Sequence, residues 1–213
     1  GTVAAEVGDF DRLITKREIE PSPFVDAATL IPRIESIPQV AKVAPRVQGV
    51  ASIQVTGSDG EAQDGDVQMT ALDPERDRFG LIETTDGEYD LTGSAEATPG
   101  LFVLQETADT FGLEVGDVVT VRYAAPLTRL PGQAADPTAS RQRTTAPWRV
   151  TGIGTQRGVT DHASGILLGL RSAQERFGLG DSAERIVVAF DPSLYDSSDP
   201  QRSGFDARDI AET

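Results

Sequence analysis

The spacing of apolar positions changes several times along the chain, and each change marks an element. Phe10 to Lys16 carries β-favouring residues and predicts a strand, which Pro21-Ser22-Pro23 separates from the next element. Leu30, Ile31, Ile34 and Ile37 then recur at helical spacing behind Asp26, a residue suited to cap the free N–H groups of a first turn. Pro32 fits such a helix only near its first turn, where the backbone N–H has no intrahelical partner, and Pro38 ends it. Val40 to Thr56 follows as a long extended segment with Val43, Val47, Val50, Ile53 and Val55. Pro45 and Gly49 predict that this strand bends or lies at a sheet edge. Gly57 to Asp66 is a turn rich in Gly, Asp and Glu, and Val67 to Leu72 returns as the second strand of a hairpin. The polar stretch Asp73 to Gly80 leads away from it, and a boundary between two parts is expected there.

The second half has its own grammar. Leu101 to Leu104 has the continuous apolar character of a buried strand, and Gln105 to Phe111 predicts a short helix stopped by Gly112. The turn Leu113 to Asp117 leads into the alternating strand Val118 to Tyr123. Residues 125 to 147 form a long loop rich in Pro, Ala, Thr and Arg, and Trp148 to Ile153 is the next strand. Pairing of those two strands makes the loop a hairpin tip. Ile166 to Leu170 predicts a strand, and Ser172-Ala173-Gln174-Glu175 has the spacing of a capping box for the helix after it. Gly178 stops that helix after Phe177, and Arg185 to Phe190 is the last strand. Phe-Gly-Leu ends both of these helices, one helix stop used twice and not a repeat unit.

Composition narrows the function classes. A chain of 213 residues can bury a core as one domain or as two lobes. No segment approaches the roughly 18 consecutive apolar residues that a membrane-spanning helix needs. The net charge of −15 argues against binding nucleic acid, whose phosphates are neutralised by Lys and Arg, and against a polybasic grip on anionic lipid. Cysteine is absent, which excludes disulfides, thiolate nucleophiles and Cys-ligated zinc and fits an exported protein. Asparagine is also absent, and Lys16 and Lys42 are the only lysines, a bias expected of a G+C-rich genome or a salty or hot habitat. The chain begins without an initiator Met and stops at Asp209-Ile210-Ala211-Glu212-Thr213, which reads like the opening of a helix, so both ends are expected to be cut from a longer protein.

Two strand-helix-strand units flanking a strand-rich middle resemble the periplasmic core domain of MacB/FtsX-like ABC transporter permeases. Ile34-Glu35-Ser36-Ile37-Pro38-Gln39-Val40-Ala41-Lys42-Val43-Ala44-Pro45 is similar to that family's passage from a helix to a Pro-bearing strand, and Ala71-Leu72-Asp73-Pro74 to its strand exit. Phe102-Val103-Leu104-Gln105-Glu106-Thr107-Ala108, with Phe111-Gly112-Leu113-Glu114-Val115-Gly116-Asp117-Val118-Val119 after it, carries the resemblance furthest. Trp148-Arg149-Val150-Thr151-Gly152-Ile153 fits the strand that comes next. The resemblance implies an α+β fold with a porter-like lobe of two strand-helix-strand units, residues 1–72 and 155–213. A β-rich, sabre-like lobe, residues 73–154, is inserted into it. It also implies a non-catalytic domain on the extracytoplasmic side of the cell membrane, moved by ATP-driven dimerisation of a cytoplasmic engine. The implied partners are a second permease copy, a cytoplasmic ATPase domain or subunit, and an extracytoplasmic cargo or adaptor protein. A free secreted or surface-anchored binding module is the alternative, and an exported hydrolase using carboxylates is a second.

Candidate chemistry is sparse. His162 is the single histidine, so a paired-histidine metal site is excluded; Asp161-His162-Ala163-Ser164 lacks a nucleophile elbow and reads as a solvated loop. Asp9 with Asp11, and Asp59, Glu61, Asp64 and Asp66, supply oxygens a calcium ion could use, yet the second group lacks the spacing of a calcium loop. No catalytic, cofactor-binding or metal residue is assigned, and no cofactor is expected. The loop from Ala125 to Pro147 sets Arg129, Arg141 and Arg143 against the single acid Asp136 in a strongly acidic protein. Those arginines are the candidate contacts to a partner.

Overall fold

The Asp26 carboxylate accepts hydrogen bonds from the Thr29 N–H at 3.2 Å and the Thr29 hydroxyl at 2.6 Å. These bonds hold its carboxyl below the ordinary value, the side-chain bond contributing most. They start helix α1 (Ala27–Glu35), directly after the short strand β1 (Val25–Asp26). Pro32 lies in the second turn and not the first, so it removes one rung from a helix of only 9 residues, which closes with Ser36 N donating to Pro32 O at 3.1 Å. The computed structural model describes residues 24–56, 62–77, 80–92, 98–124, 143–158 and 164–191. The expected strand Phe10 to Lys16 and most of the loop from 125 to 147 lie outside them.

The strands are β2 (Val40–Thr56), β3 (Ala62–Leu72), β4 (Gly80–Gly87), β5 (Gly100–Leu104), β6 (Val118–Ala124), β7 (Arg143–Gly158), β8 (Ile166–Gly169), β9 (Ser182–Ala183) and β10 (Arg185–Phe190). Helices α2 (Gln105–Phe111) and α3 (Leu170–Phe177) follow β5 and β8 directly. The fold is α+β and dominated by sheet. Pairings run β2 to β3, β3 to β8, β8 to β5, β5 to β7, β7 to β6, and β6 back to β2, so six strands close on themselves. Closure leaves these strands no free edge, the arrangement of a small barrel.

Alternation decides which side chains enter the ring. Ala51, Ile53 and Val55 of β2, Val67, Met69 and Ala71 of β3, and Val119, Val121 and Tyr123 of β6 join one apolar cluster with Leu101, Val103, Trp148, Ile166 and Leu168. Helices α2 and α3 contribute Ala108, Ala173 and Phe177 to it. On β5 and β8 the intervening residues face outward and are buried too: Phe102, Leu104 and Leu167 form a second cluster with Leu72 and Leu91. This is why the run Leu101 to Leu104 reads as continuously apolar in the sequence.

Several expectations need correction. Pro45 does lie where β2 has β10 as its one strand neighbour among the described residues, but the second half of β2 is interior to the ring. The turn expected over Gly57 to Asp66 is narrower, because Ala62 to Asp66 already pair with Ser52 to Thr56. Leu170 opens α3 and does not end β8, and the cap residue is Gly169, with no side-chain capping bond. Ser172 and Glu175 therefore make no capping box; Glu175 instead accepts from Arg171 one turn earlier, at 3.1 Å. Strand β4, paired among the described residues with β7 alone, is an element that the sequence does not predict. The ring takes β2 and β3 from residues 1–72, β5, β6 and most of β7 from 73–154, and β8 from 155–213.

Candidate functional site

Of the candidate contact arginines, Arg129 and Arg141 lie outside the described residues, and Arg143 opens β7 opposite Ala124. Asp161 and His162 also lie outside them, as do Asp9, Asp11, Asp59 and Glu61. Asp66 accepts from the Ser52 hydroxyl at 3.1 Å, and Asp64 stands 3.9 Å from the Arg122 guanidinium. Both carboxylates thus face cross-strand partners. Among the described residues no group of three His, Cys, Asp or Glu side chains converges as metal ligands do, and no helix is long and apolar enough to cross a membrane.

The buried polar chemistry lies elsewhere, around Arg46. This residue stands opposite Arg185 in the β10 ladder and opposite Leu72 in the β3 ladder, at the point where β2 passes from one to the other. Its carbonyl accepts from the Glu184 N–H at 2.9 Å. Its guanidinium makes a bidentate pair with Asp77: Nε reaches Oδ2, and Nη2 reaches Oδ1 at 2.7 Å. The side chains are 7% and 2% exposed, so both charges have left water and depend on each other. Burial pushes the nearby Tyr89 phenol up to about 12, with the Asp77 charge adding to the rise and Arg46 opposing it. The Tyr89 ring meets Phe102 edge-on, 5.3 Å between centroids. Turn chemistry positions Asp77: Asp73 accepts from the Glu75 N–H at 3.0 Å, and its carbonyl from the Asp77 N–H at 2.7 Å.

From Asp77 the chain runs through β4 and back across the outer face of the ring as a strap, residues 80–92. Its backbone lies so close that a Cβ at Gly152, Gly100 or Gly169 would stand 2.5, 2.4 or 2.3 Å from the carbonyl oxygens of Glu88, Asp90 and Leu91. Those glycines, on three neighbouring strands, make the approach possible. The strap's Tyr89 and Leu91 cover the outer apolar cluster. Sequence reasoning missed the Arg46–Asp77 pair, whose members are 31 positions apart with no motif between them. The strap did leave a signal, since glycines inside apolar strands mark close backbone approach.

Where β2 leaves β10 and has not yet met β6, Glu184 fills the gap, its carboxylate accepting from the Gln48 N–H at 2.9 Å. A cleft of about 220 Å³ opens there, lined among others by Gln48, Gln68, Thr70, Gln156 and Glu184. Its amides and hydroxyls can bind polar groups. The arrangement as a whole holds parts together and sets their geometry.

A comparison with curated protein sequences finds no match. Among solved structures, the extracellular domain of the noncanonical ABC-type transporter YknZ from Gram-positive bacteria is similar at a TM-score of 0.54 and 12% identity, over 94% of this chain and 89% of that one. The periplasmic region of MacB from Actinobacillus actinomycetemcomitans is similar at a TM-score of 0.52 and 12% identity, over 98% of this chain and 78% of that one. At such identities the likeness is one of fold. The model of the MacB-like periplasmic core domain matches residues 3–197. The whole ring, its strap and the Arg46 junction fall within that match, and the chain belongs to the family of MacB-like periplasmic core domains, the extracytoplasmic domains of ABC transporter permeases.

Proposed function

We propose that this domain is non-catalytic and passes ATP-driven movement of a permease's membrane helices to cargo or to a partner outside the membrane. The observation that carries the reading is β2, one continuous strand of 17 residues whose first half pairs with β10 and whose second half is a wall of the closed ring. Displacement of β10 reaches the ring through covalent and hydrogen-bonded backbone, without a loop to absorb it. The partners in this reading are a second permease copy, a cytoplasmic ATPase domain or subunit, and an extracytoplasmic cargo or adaptor protein. In this reading residues 1–72 and 155–213 form one part and 73–154 the other, whose stretch from 125 to 147 carries Arg129, Arg141 and Arg143.

The test uses the intact permease with its ATPase in lipid vesicles. A spin label at Arg33→Cys, on the exposed side of α1, reports the distance between the two copies of the domain. ATP is expected to shift that distance, and an unchanged distance would remove the mechanical reading. Replacing the three arginines by Glu is expected to weaken co-purification of the intact permease with its partner, and unchanged co-purification would remove their contact role.

A further inference from the structure

We propose that the Arg46–Asp77 pair is a latch that fixes the strap, residues 80–92, in one orientation relative to the unit made of α1, β1, β9, β10 and the first half of β2. The inference deepens the mechanical reading and rests on it. Three connections meet at this pair. The Arg46 backbone joins the β10 ladder to the β3 ladder. Its guanidinium holds Asp77, only three positions before β4 begins at Gly80. Arg76, next to Asp77, reaches Glu35 at the end of α1 at 2.7 Å.

These ties are unequal. Arg76 and Glu35 are 46% and 45% exposed, and an ion pair in that setting contributes little. Arg46 and Asp77 are buried, and a buried pair gains little net stability over well-packed apolar residues of the same volume. What the pair adds is direction. A guanidinium fork on a carboxylate fixes distance and angle through two parallel bonds, whereas apolar side chains in the same space can slide and rotate. The strap's other ties run to the ring: among the described residues β4 pairs with β7 alone, the Glu88 N–H donates to Thr151 O at 2.8 Å, and the Thr151 hydroxyl donates to Asp90 O at 2.8 Å. The Arg46–Asp77 pair adds a tie to the residue where the β10 ladder meets the β3 ladder.

The experiment uses the full chain, which has no cysteine of its own, with spin labels at Arg33→Cys on α1 and Thr84→Cys on β4. The otherwise unchanged chain is expected to give one narrow distance distribution. In Arg46→Met/Asp77→Leu the distribution is expected to broaden at least about twofold, with the thermal midpoint within about 3 °C. Arg46→Lys, which keeps the charge and gives up the fork, is expected to fold and to broaden it to a lesser degree. A narrow distribution in either folded variant overturns the latch, and if the double variant does not fold, Arg46→Lys alone decides. Broadening in the isolated chain together with no ATP-dependent distance change in the permease would sustain the latch and overturn only the mechanical reading it rests on.

Discussion

Gly49 lies under the ring of Tyr123: a Cβ on Gly49 would meet Tyr123 Cε2 at 3.1 Å. The ring cannot give way easily, because its other neighbour is Phe177 of α3 with ring centroids 5.3 Å apart. Gly49→Ala is therefore expected to lower stability by about 1–3 kcal/mol despite the better strand propensity of alanine. The Tyr123 hydroxyl is buried and finds no protein partner among the described residues, so Tyr123→Phe should raise stability by about 1 kcal/mol. Urea unfolding of both variants checks the pair of signs.

Alkaline pH should destabilise the protein through its buried phenols. Burial raises Tyr89 from 10.0 to about 12 and raises Tyr123 as well, where the Glu184 carboxylate adds to the effect. Between pH 10 and 12 the unfolded chain has released protons that the folded chain still holds, so stability falls as pH rises through that window. Tyr89→Phe should flatten part of the fall. A pH series of urea midpoints for the two proteins measures it, and parallel curves would show that Tyr89 contributes nothing.

Gly152→Ala should lift the strap off the ring. The new Cβ would stand 2.5 Å from the Glu88 carbonyl oxygen, a backbone atom with no rotamer to escape into. A loss of at least about 1–3 kcal/mol is expected. Hydrogen exchange should accelerate first in residues 83–92, before the ring strands. Uniform acceleration would mean that the strap is not an independent layer.

Cooperativity separates two views of the domain. Lobes of residues 1–72 with 155–213 and of 73–154 that fold independently would unfold in two transitions. Strands from both parts share one ring, which predicts a single transition by fluorescence of Trp148 and by circular dichroism alike. Two separated midpoints would mean that the parts fold independently.

Most elements were legible because local chemistry and tertiary structure agree on them. Gln105 to Phe111 ends at Gly112 with φ of 60°, and Phe177 is followed by Gly178 with φ of 68°; both stops are readable from the residues alone. The hairpin of β6 and β7 and the span of β2 follow from alternation and turn residues. The capping box failed because Ser172 lies inside the helix: α3 begins at Leu170, straight off a strand, with Gly169 as its cap. Strand β4 escaped because Glu83, Thr84, Thr85 and Asp86 are exposed and carry no apolar alternation; β7 recruits them through backbone bonds. Ring closure was invisible for a similar reason, since β6 meets β2 across almost seventy positions and nothing local records that pairing. Arg46 and Asp77 each look like ordinary surface charges until the fold removes both from water.

The closed ring also sets how the domain bears load. Hydrogen bonds between antiparallel strands run perpendicular to the strands. A pull along β2 therefore loads its bonds to β3 and β6 in shear, and many must fail together, whereas a pull across a free edge would peel them one at a time. Tension delivered along β2 meets the domain in its stiff direction; its soft directions are the outward peeling of β10 and of β4, two strands that pair with the ring from outside.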